Sequence, residues 1–151
     1  MAASGLLEDT SSIPRHNPRS NLAHNAYSAV SRISTVSKKK VFVSFDFDND
    51  KVLKEFLIGQ SKLDDSPFEV SDHSLKEAAP PKAWQDRARA AIKRSDVVIV
   101  MVGPYTHKAP GVLAEVDITR EENTDIFQII GYKDGDYTAV SNAGRLYKWN
   151  W

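Results

Sequence analysis

Cysteine is absent from this chain of 151 residues. A protein without thiols forms no disulfide bond, no thiolate zinc site and no covalent intermediate on a cysteine nucleophile. Long apolar stretches are absent too, since none approaches the ~20 residues that a membrane-spanning helix needs. The N-terminus lacks the apolar core of a secretory signal. These absences predict a cytoplasmic protein with no membrane partner.

The chain also lacks the two glycine-rich fingerprints of nucleotide binding, G-x-G-x-x-G and the P-loop. Its formal net charge is zero, but the charges are unevenly placed. Residues 1–40 hold six Lys and Arg against two acidic residues, so the remaining residues carry four net negative charges. An acidic domain argues against a nucleic-acid partner.

Composition divides the chain into two parts. Residues 1–37 are rich in Ser, Asn and Ala and predict a flexible segment. Within it, apolar residues at helical spacing behind Ser20 predict a short helix at about 21–34. Residues 38–151 carry the pattern of a folded domain. The basic N-terminal segment is therefore a candidate regulatory arm rather than part of the core.

Apolar strand patterns alternate with amphipathic helical patterns through the domain. Strands are predicted at 41–45, 68–71, 97–103 and 126–131, with helices at about 52–57, 84–92 and 111–122 between them. This alternation predicts βαβ units and a flavodoxin-like α/β fold, a parallel sheet of four to five strands with helices on both faces. Asp48 or Asn49 is the predicted N-cap of the first helix.

One edge of that sheet is the expected site. The strand ends at 44–46, 72–74 and 103–107 should meet there, and ligands of open α/β sheets bind at the carboxyl ends of strands. Glu115 follows in the first turns of the next helix. It is the first candidate for chemistry, although an isolated helical Glu is more often solvated and paired one turn along.

The acidic loop that contains Asp46, Asp48 and Asp50 has three interpretations. A receiver domain would place Mg²⁺ and a phosphoacceptor there, but it also needs an Asp where this chain has Gly103 and a Lys near Gly131. A calcium loop requires a Gly and a distal Glu at offsets that are not met. Helix capping with solvation is the favoured interpretation, and no metal site is predicted.

Other side chains near the predicted pocket also have two interpretations each. His107 can act as a general base or donate to a backbone carbonyl, and Asp46 can pair with it. Ser44 and Ser74 lack the G-x-S-x-G context of a nucleophile. Aromatic rings can stack on a base or a nicotinamide, and the candidates are Phe45, Tyr105 and Trp84, of which Trp84 is favoured as core.

Several segments together resemble the TIR-like family that includes the sensor proteins of Thoeris anti-phage defence. The segments are V-F-V-S-F at 41–45, F-x-V-x-D-x-S-L at 68–75, Trp84, R-S-D-V-V-I-V at 94–100, G-x-x-T-H-x-A-x-G-V-x-x-E-V at 103–116, I-F-Q-I-I-G-Y at 126–132 and N-A-G-R-x-Y-x-W at 142–149. They cover about residues 39–151 in order. Each is weak alone, and their specificity comes from the set.

The resemblance implies a flavodoxin-like TIR fold and cleavage of NAD⁺ at the nicotinamide–ribose bond. NAD⁺ would be the substrate rather than a cofactor, and the product a cyclic ADP-ribose-type signal made in response to a phage-derived trigger. The resemblance also implies self-association. Because many TIR domains only bind partners, a non-enzymatic interaction module is the alternative.

The resemblance further assigns residues. TIR enzymes carry a glutamate on the helix after the central strand, which Glu115 matches, and an aromatic residue at the end of the first strand, which Phe45 matches. The usual Trp-Cys pair before the glutamate is absent, since Leu113 and Ala114 stand there. The predicted catalytic residue is Glu115, and the predicted substrate-binding residues are Phe45, Asp46, Ser74, Tyr105 and His107.

Overall fold

The computed structural model describes residues 6–9, 38–75 and 81–150. Its elements are β1 (Leu6–Asp9), β2 (Lys39–Ser44), α1 (Lys51–Ser61), β3 (Phe68–His73), α2 (Pro81–Lys93), β4 (Val97–Val102), a 3-10 turn (Thr106–Lys108), α3 (Pro110–Glu121), β5 (Asp125–Ile130) and β6 (Leu146–Asn150). The helix predicted at 21–34 lies outside the described residues. Among the helices that are described, none is long and apolar enough to cross a membrane.

The described strands form one sheet in the order β1-β6-β5-β4-β2-β3. Strands β2 to β6 are parallel, and β1 pairs antiparallel with β6. The five parallel strands follow the flavodoxin order, in which the first strand lies between the second and the third. The predicted α/β fold is confirmed. Strand β1 adds a sixth strand from within the segment that composition predicts as flexible.

Two apolar clusters hold the sheet between its helices. On one face, Val41, Val43 and Ile99 pack with side chains of α1. On the other face, Phe42 and Val100 pack with side chains of α2 and α3. All six residues of β4 are buried. A strand covered on both faces needs apolar residues at every position, which explains the continuous run in its sequence.

The acidic loop leads from β2 into α1. The main-chain oxygen of Asp46 accepts hydrogen bonds from the amides of Asn49 and Asp50, which closes the loop. The predicted N-cap at Asp48 or Asn49 was wrong, because α1 begins after Asp50. The Asp50 side chain makes no capping bond to the helix. It is buried and turned to other partners.

A β-bulge shifts the register between β2 and β3. Val41 pairs with Val70, but Phe42 pairs with Asp72, so that Ser71 is the extra residue. Because side chains alternate between faces, one inserted residue moves every later side chain of β3 to the opposite face. The bulge therefore determines which face the residues at the end of β3 occupy.

Candidate active site

A cavity of about 280 Å³ opens at the carboxyl ends of β2 and β3, beside the start of α3. We call it the loop pocket; its walls are Phe45, Asp46, Phe47, Asp48, Ser74, Leu75, Trp84, Ala109, Pro110, Gly111, Val112 and Glu115. The sheet order reverses at β2, because β3 lies on one side of it and β4 on the other. Ligands of open α/β folds bind at such a reversal.

Glu115 lies at the base of the loop pocket, where its side chain is 1% exposed. Its Oε1 accepts a hydrogen bond of 2.7 Å from the Ser44 hydroxyl and a second, short one from the Ser74 hydroxyl. Two donors on one oxygen fix the orientation of the carboxylate. They also replace part of the solvation that burial removes.

Ser44 reaches Glu115 from the end of β2, and Ser74 reaches it because of the bulge in β3. Val43 pairs with His73, so Ser74 follows at the level of Ser44 and on the same face of the sheet. Ser74 is fixed further by its amide, which donates to Val43, and by its hydroxyl, which accepts from the amide of Phe45. Its single hydroxyl hydrogen is donated to Glu115. The structure thus makes Ser74 a partner of the carboxylate.

The aromatic wall of the loop pocket is a pair of rings. Phe45 lines the pocket, but it is 2% exposed and packs in the apolar cluster on the α1 side. Its ring stacks on that of Phe47, with the centroids 5.8 Å apart. Phe47 is half-buried and lines the same pocket. Phe47 is therefore the more accessible aromatic surface, and the sequence reasoning did not single it out.

Asp46 also lines the pocket and is buried. One carboxylate oxygen accepts from the amide of Asp48, and the other accepts from the side-chain amide of Asn49 at 2.7 Å. These bonds run within the acidic loop rather than to His107. Asp46 therefore holds the shape of the loop that forms the pocket wall.

Tyr105 and His107 are not among the residues that line the loop pocket. The chain turns after β4, and Thr106 is the residue of that turn that is fully buried. Tyr105 is 53% exposed, and its ring lies under the ammonium group of Lys108. The Nδ1 atom of His107 is buried and has no hydrogen-bond partner among the residues that the structure describes. The structure therefore does not bring Tyr105 or His107 into the pocket wall beside Glu115.

A third buried carboxylate, after Glu115 and Asp46, lies at the same edge of the sheet. Asp50 accepts hydrogen bonds from the hydroxyls of Tyr132, at 2.7 Å, and of Thr106, at 3.1 Å. Burial raises the pKa of Asp50 above its ordinary value of 3.8, and the two hydrogen bonds offset this only in part. A Cβ atom on Gly103 would collide with the carboxylate. This group lines none of the described cavities.

Two other cavities differ in their relation to Glu115. One of about 220 Å³, which we call the α2 pocket, lies between the end of β3 and helix α2 and also has Glu115 in its wall. A larger one of about 430 Å³ lies at the amino end of β5, beside Arg120 and Arg145. The larger cavity is at the opposite edge of the sheet. Only the two smaller ones reach the carboxylate.

The family model of the TIR-like domain of the Thoeris protein ThsB matches residues 42–134, more than half of the chain. The chain belongs to the Thoeris TIR-like family. This membership relates it to defence and confirms the resemblance read from the sequence. No curated protein matches the chain.

The ThsB TIR-like match spans every part of the loop pocket, from the end of β2 to Glu115. It ends before the segment at 142–149, so the resemblance in that segment stays a prediction. Among the residues that the structure describes, no three or more His, Cys, Asp or Glu side chains form a group that could hold a metal ion.

Proposed function

We propose that this TIR-like domain cleaves NAD⁺ at the bond between nicotinamide and ribose. The observation that carries the proposal is Glu115, a buried carboxylate oriented by two hydroxyls at the base of a pocket. The pocket lies at the reversal of strand order in a TIR-like domain. A carboxylate placed in this way is suited to a positive charge that develops during a reaction.

The chemistry needs few groups. As the bond between ribose C1′ and the nicotinamide nitrogen breaks, its electron pair moves to that nitrogen and neutralises the ring. The ribose becomes an oxocarbenium ion, as in glycoside hydrolysis, and the Glu115 carboxylate stabilises its charge. Water then adds to C1′ and loses a proton, or an atom of the adenylate half adds instead and closes a ring. Nicotinamide leaves without a general acid.

The surrounding residues have supporting parts in this proposal. The Phe45 and Phe47 rings form the wall against which the flat nicotinamide packs, with Phe47 as the more accessible face. Asp46 keeps the loop in place. Glu115 is 1% exposed, and this burial strengthens the interaction of its carboxylate with the ribosyl cation.

The proposal also includes the product of the reaction and its role in defence. Membership of the Thoeris TIR-like family relates the chain to defence, and we propose that the product is a cyclic ADP-ribose-type signal. Self-association and a phage-derived trigger belong to the same proposal. A cytoplasmic location would supply the NAD⁺ that the reaction consumes.

The decisive experiment follows nicotinamide release from NAD⁺ by chromatography, with concentrated protein and with lysate of phage-infected cells. We expect Glu115→Gln to lower the rate by about 100-fold or more, because it removes the charge that stabilises the transition state. Glu69→Gln is the matched control, since Glu69 is exposed on β3 and lines none of the described cavities.

Equal rates for wild type and Glu115→Gln would remove Glu115 from the mechanism. No nicotinamide release by the wild type, with lysate or without it, would contradict the enzymatic proposal. A TIR-like interaction module without activity would then be the better account.

A further inference from the structure

Glu115 stands between two cavities rather than at the end of one. The loop pocket and the α2 pocket share Glu115, Leu75 and Trp84 in their walls. The indole nitrogen of Trp84 donates to the main-chain oxygen of Leu75 at 3.2 Å, which holds this shared wall together. A ligand in either cavity would therefore border Glu115.

The two cavities differ in their charged residues. Asp46 and Asp48 line the loop pocket, and no Lys, Arg or His is among its described lining residues. The α2 pocket contains two arginines, Arg87 and Arg94, together with Asp72, His73 and Glu115. The Arg94 guanidinium donates to Asp72 at 2.8 Å, whereas Arg87 is exposed on α2 and makes no ion pair with any described residue.

Part of the wall of the α2 pocket is apolar. Phe42 provides a ring from β2, and Ala88 and Ala91 provide small side chains from α2. The small side chains leave the space that a larger residue on this helix face would fill. An apolar cleft with an arginine at its rim suits a flat, uncharged ring that is linked to phosphate.

We propose that the α2 pocket is the subsite for the phosphate-bearing adenylate half of the dinucleotide. Arg87 binds the pyrophosphate, and the adenine ring lies in the apolar cleft beside Phe42. The cationic nicotinamide then occupies the acidic loop pocket, so that the ribose between them meets Glu115. The identity of the ligand rests on the proposed function. The contribution of the lining residues to binding can be measured without any turnover.

The larger cavity at the opposite edge is the competing location for an anion, since it contains Arg120 and Arg145. It has no contact with Glu115, and the Nε atom of Arg120 already donates to the main-chain oxygen of Asn142 at 2.7 Å. A substrate held there would place its reacting bond far from the carboxylate.

The test measures binding of ADP-ribose by titration calorimetry, which needs no catalysis. Arg87→Gln should weaken ADP-ribose binding by about 10- to 100-fold, the loss expected for a charged hydrogen bond. Two matched variants carry the same charge change. Lys93→Gln lies on the same helix outside the cavities, and Arg120→Gln lies in the opposite cavity. Neither should change the affinity, and none of the three should change binding of nicotinamide alone.

The outcomes separate this subsite from the proposed reaction. Unchanged affinity in Arg87→Gln, an equal loss in Arg120→Gln, or no ADP-ribose binding by the wild type would each overturn the subsite. If Arg87→Gln cleaves NAD⁺ with the same KM as the wild type, the subsite is overturned and the proposed reaction is supported. Binding that depends on Arg87, in a protein that never cleaves NAD⁺, would support the subsite and contradict the reaction.

Discussion

Two buried carboxylates at one edge of the sheet share a local pattern and differ in their surroundings. Glu115 and Asp50 are each 1% exposed, and each accepts hydrogen bonds from two hydroxyl groups. Glu115 forms part of the walls of two cavities. Asp50 lies against Gly103 with no room for a Cβ atom. Access, rather than burial or hydrogen bonding, distinguishes the candidate catalytic group from the structural one.

Each carboxylate and its two hydroxyl donors form a cluster, which we call the Glu115 group and the Asp50 group. The two groups lie on different faces of the sheet. The Asp50 group joins the start of α1 to Tyr132 after β5, on the face that α1 covers. The Glu115 group joins α3 to the ends of β2 and β3 on the other face. We therefore expect changes at Asp50 to alter stability and changes at Glu115 to alter activity. The following variants test that division.

The largest effect is expected at Gly103, because the space beside Asp50 is closed. Gly103→Ala should lower the free energy of unfolding by about 1–3 kcal/mol, the usual cost of overpacking a buried site. Urea denaturation measures this directly. NAD⁺ cleavage by the folded molecules should stay at the wild-type level.

The matched control for Gly103 is Gly59, an exposed position on α1 where a Cβ would meet nothing within 4 Å. Gly59→Ala should raise the stability by about 0.5–1 kcal/mol through helix propensity. A Gly103→Ala protein as stable as the wild type would mean that a Cβ atom fits beside the Asp50 carboxylate. Asp50 would then not differ from Glu115 in the space around it.

The next effect compares one hydroxyl from each group. Ser44→Ala removes a donor from Glu115 and should lower kcat by about 10-fold, if about half of the strength of a charged hydrogen bond appears in the barrier. Thr106→Val keeps the shape but removes a donor from Asp50 and an acceptor for the amide of Gly103. It should lower the stability by about 1–3 kcal/mol and leave kcat unchanged.

Steady-state kinetics and urea denaturation measure kcat and the free energy of unfolding for both Ser44→Ala and Thr106→Val. Ser44→Thr, which retains a hydroxyl, should recover part of the lost rate. The division between the groups is wrong if Thr106→Val reduces kcat as much as Ser44→Ala does.

The smallest effect is a pH dependence of stability. Burial raises the pKa of Asp50, so the folded protein holds this proton more tightly than the unfolded chain does. The stability from the protonated form is fully present below the ordinary pKa of 3.8 and is lost as the pH rises through the raised pKa of the folded state.

The side chain in Asp50→Asn cannot ionise, so this variant should lack the loss of stability that the ionisation of Asp50 causes as the pH rises. The difference in unfolding free energy, variant minus wild type, should grow as the pH rises above about 4. Urea denaturation at several pH values measures it, with Asp48→Asn, an exposed residue of the same loop, as control. A difference that stays constant with pH would contradict the assignment of the raised pKa to Asp50.

Much of the fold followed from patterns along the chain. The apolar run that forms β4 predicted a strand covered on both faces, and the alternation of strands and helices predicted the parallel sheet. Strand β6 was not predicted, because its sequence mixes polar and aromatic residues and follows a loop with turn signals. Strand β1 was not predicted either, since a four-residue edge strand has little pattern of its own.

The candidate site was predicted less completely. Glu115 could be predicted as a candidate because its position relative to the central strand follows from topology, and the resemblance read from the sequence implies the same residue. The contribution of Ser74 depends on its lying at the level of Ser44, which depends on the bulge at Ser71. Nothing in the local sequence marks Ser71 as an extra residue. Tyr105 is close to the site along the chain, but the turn after β4 directs it to solvent.

The sequence by itself determined the class of fold, and it predicted the edge of the sheet where a site would lie and Glu115 as the candidate residue there. Periodicity and strand order are properties of the chain, and they act over a few residues at a time. Only the tertiary structure decided which hydroxyls reach Glu115, which of two similar carboxylates is accessible and which cavities meet between them. Those outcomes depend on register and packing between distant segments, which a single residue of bulge or turn can reverse.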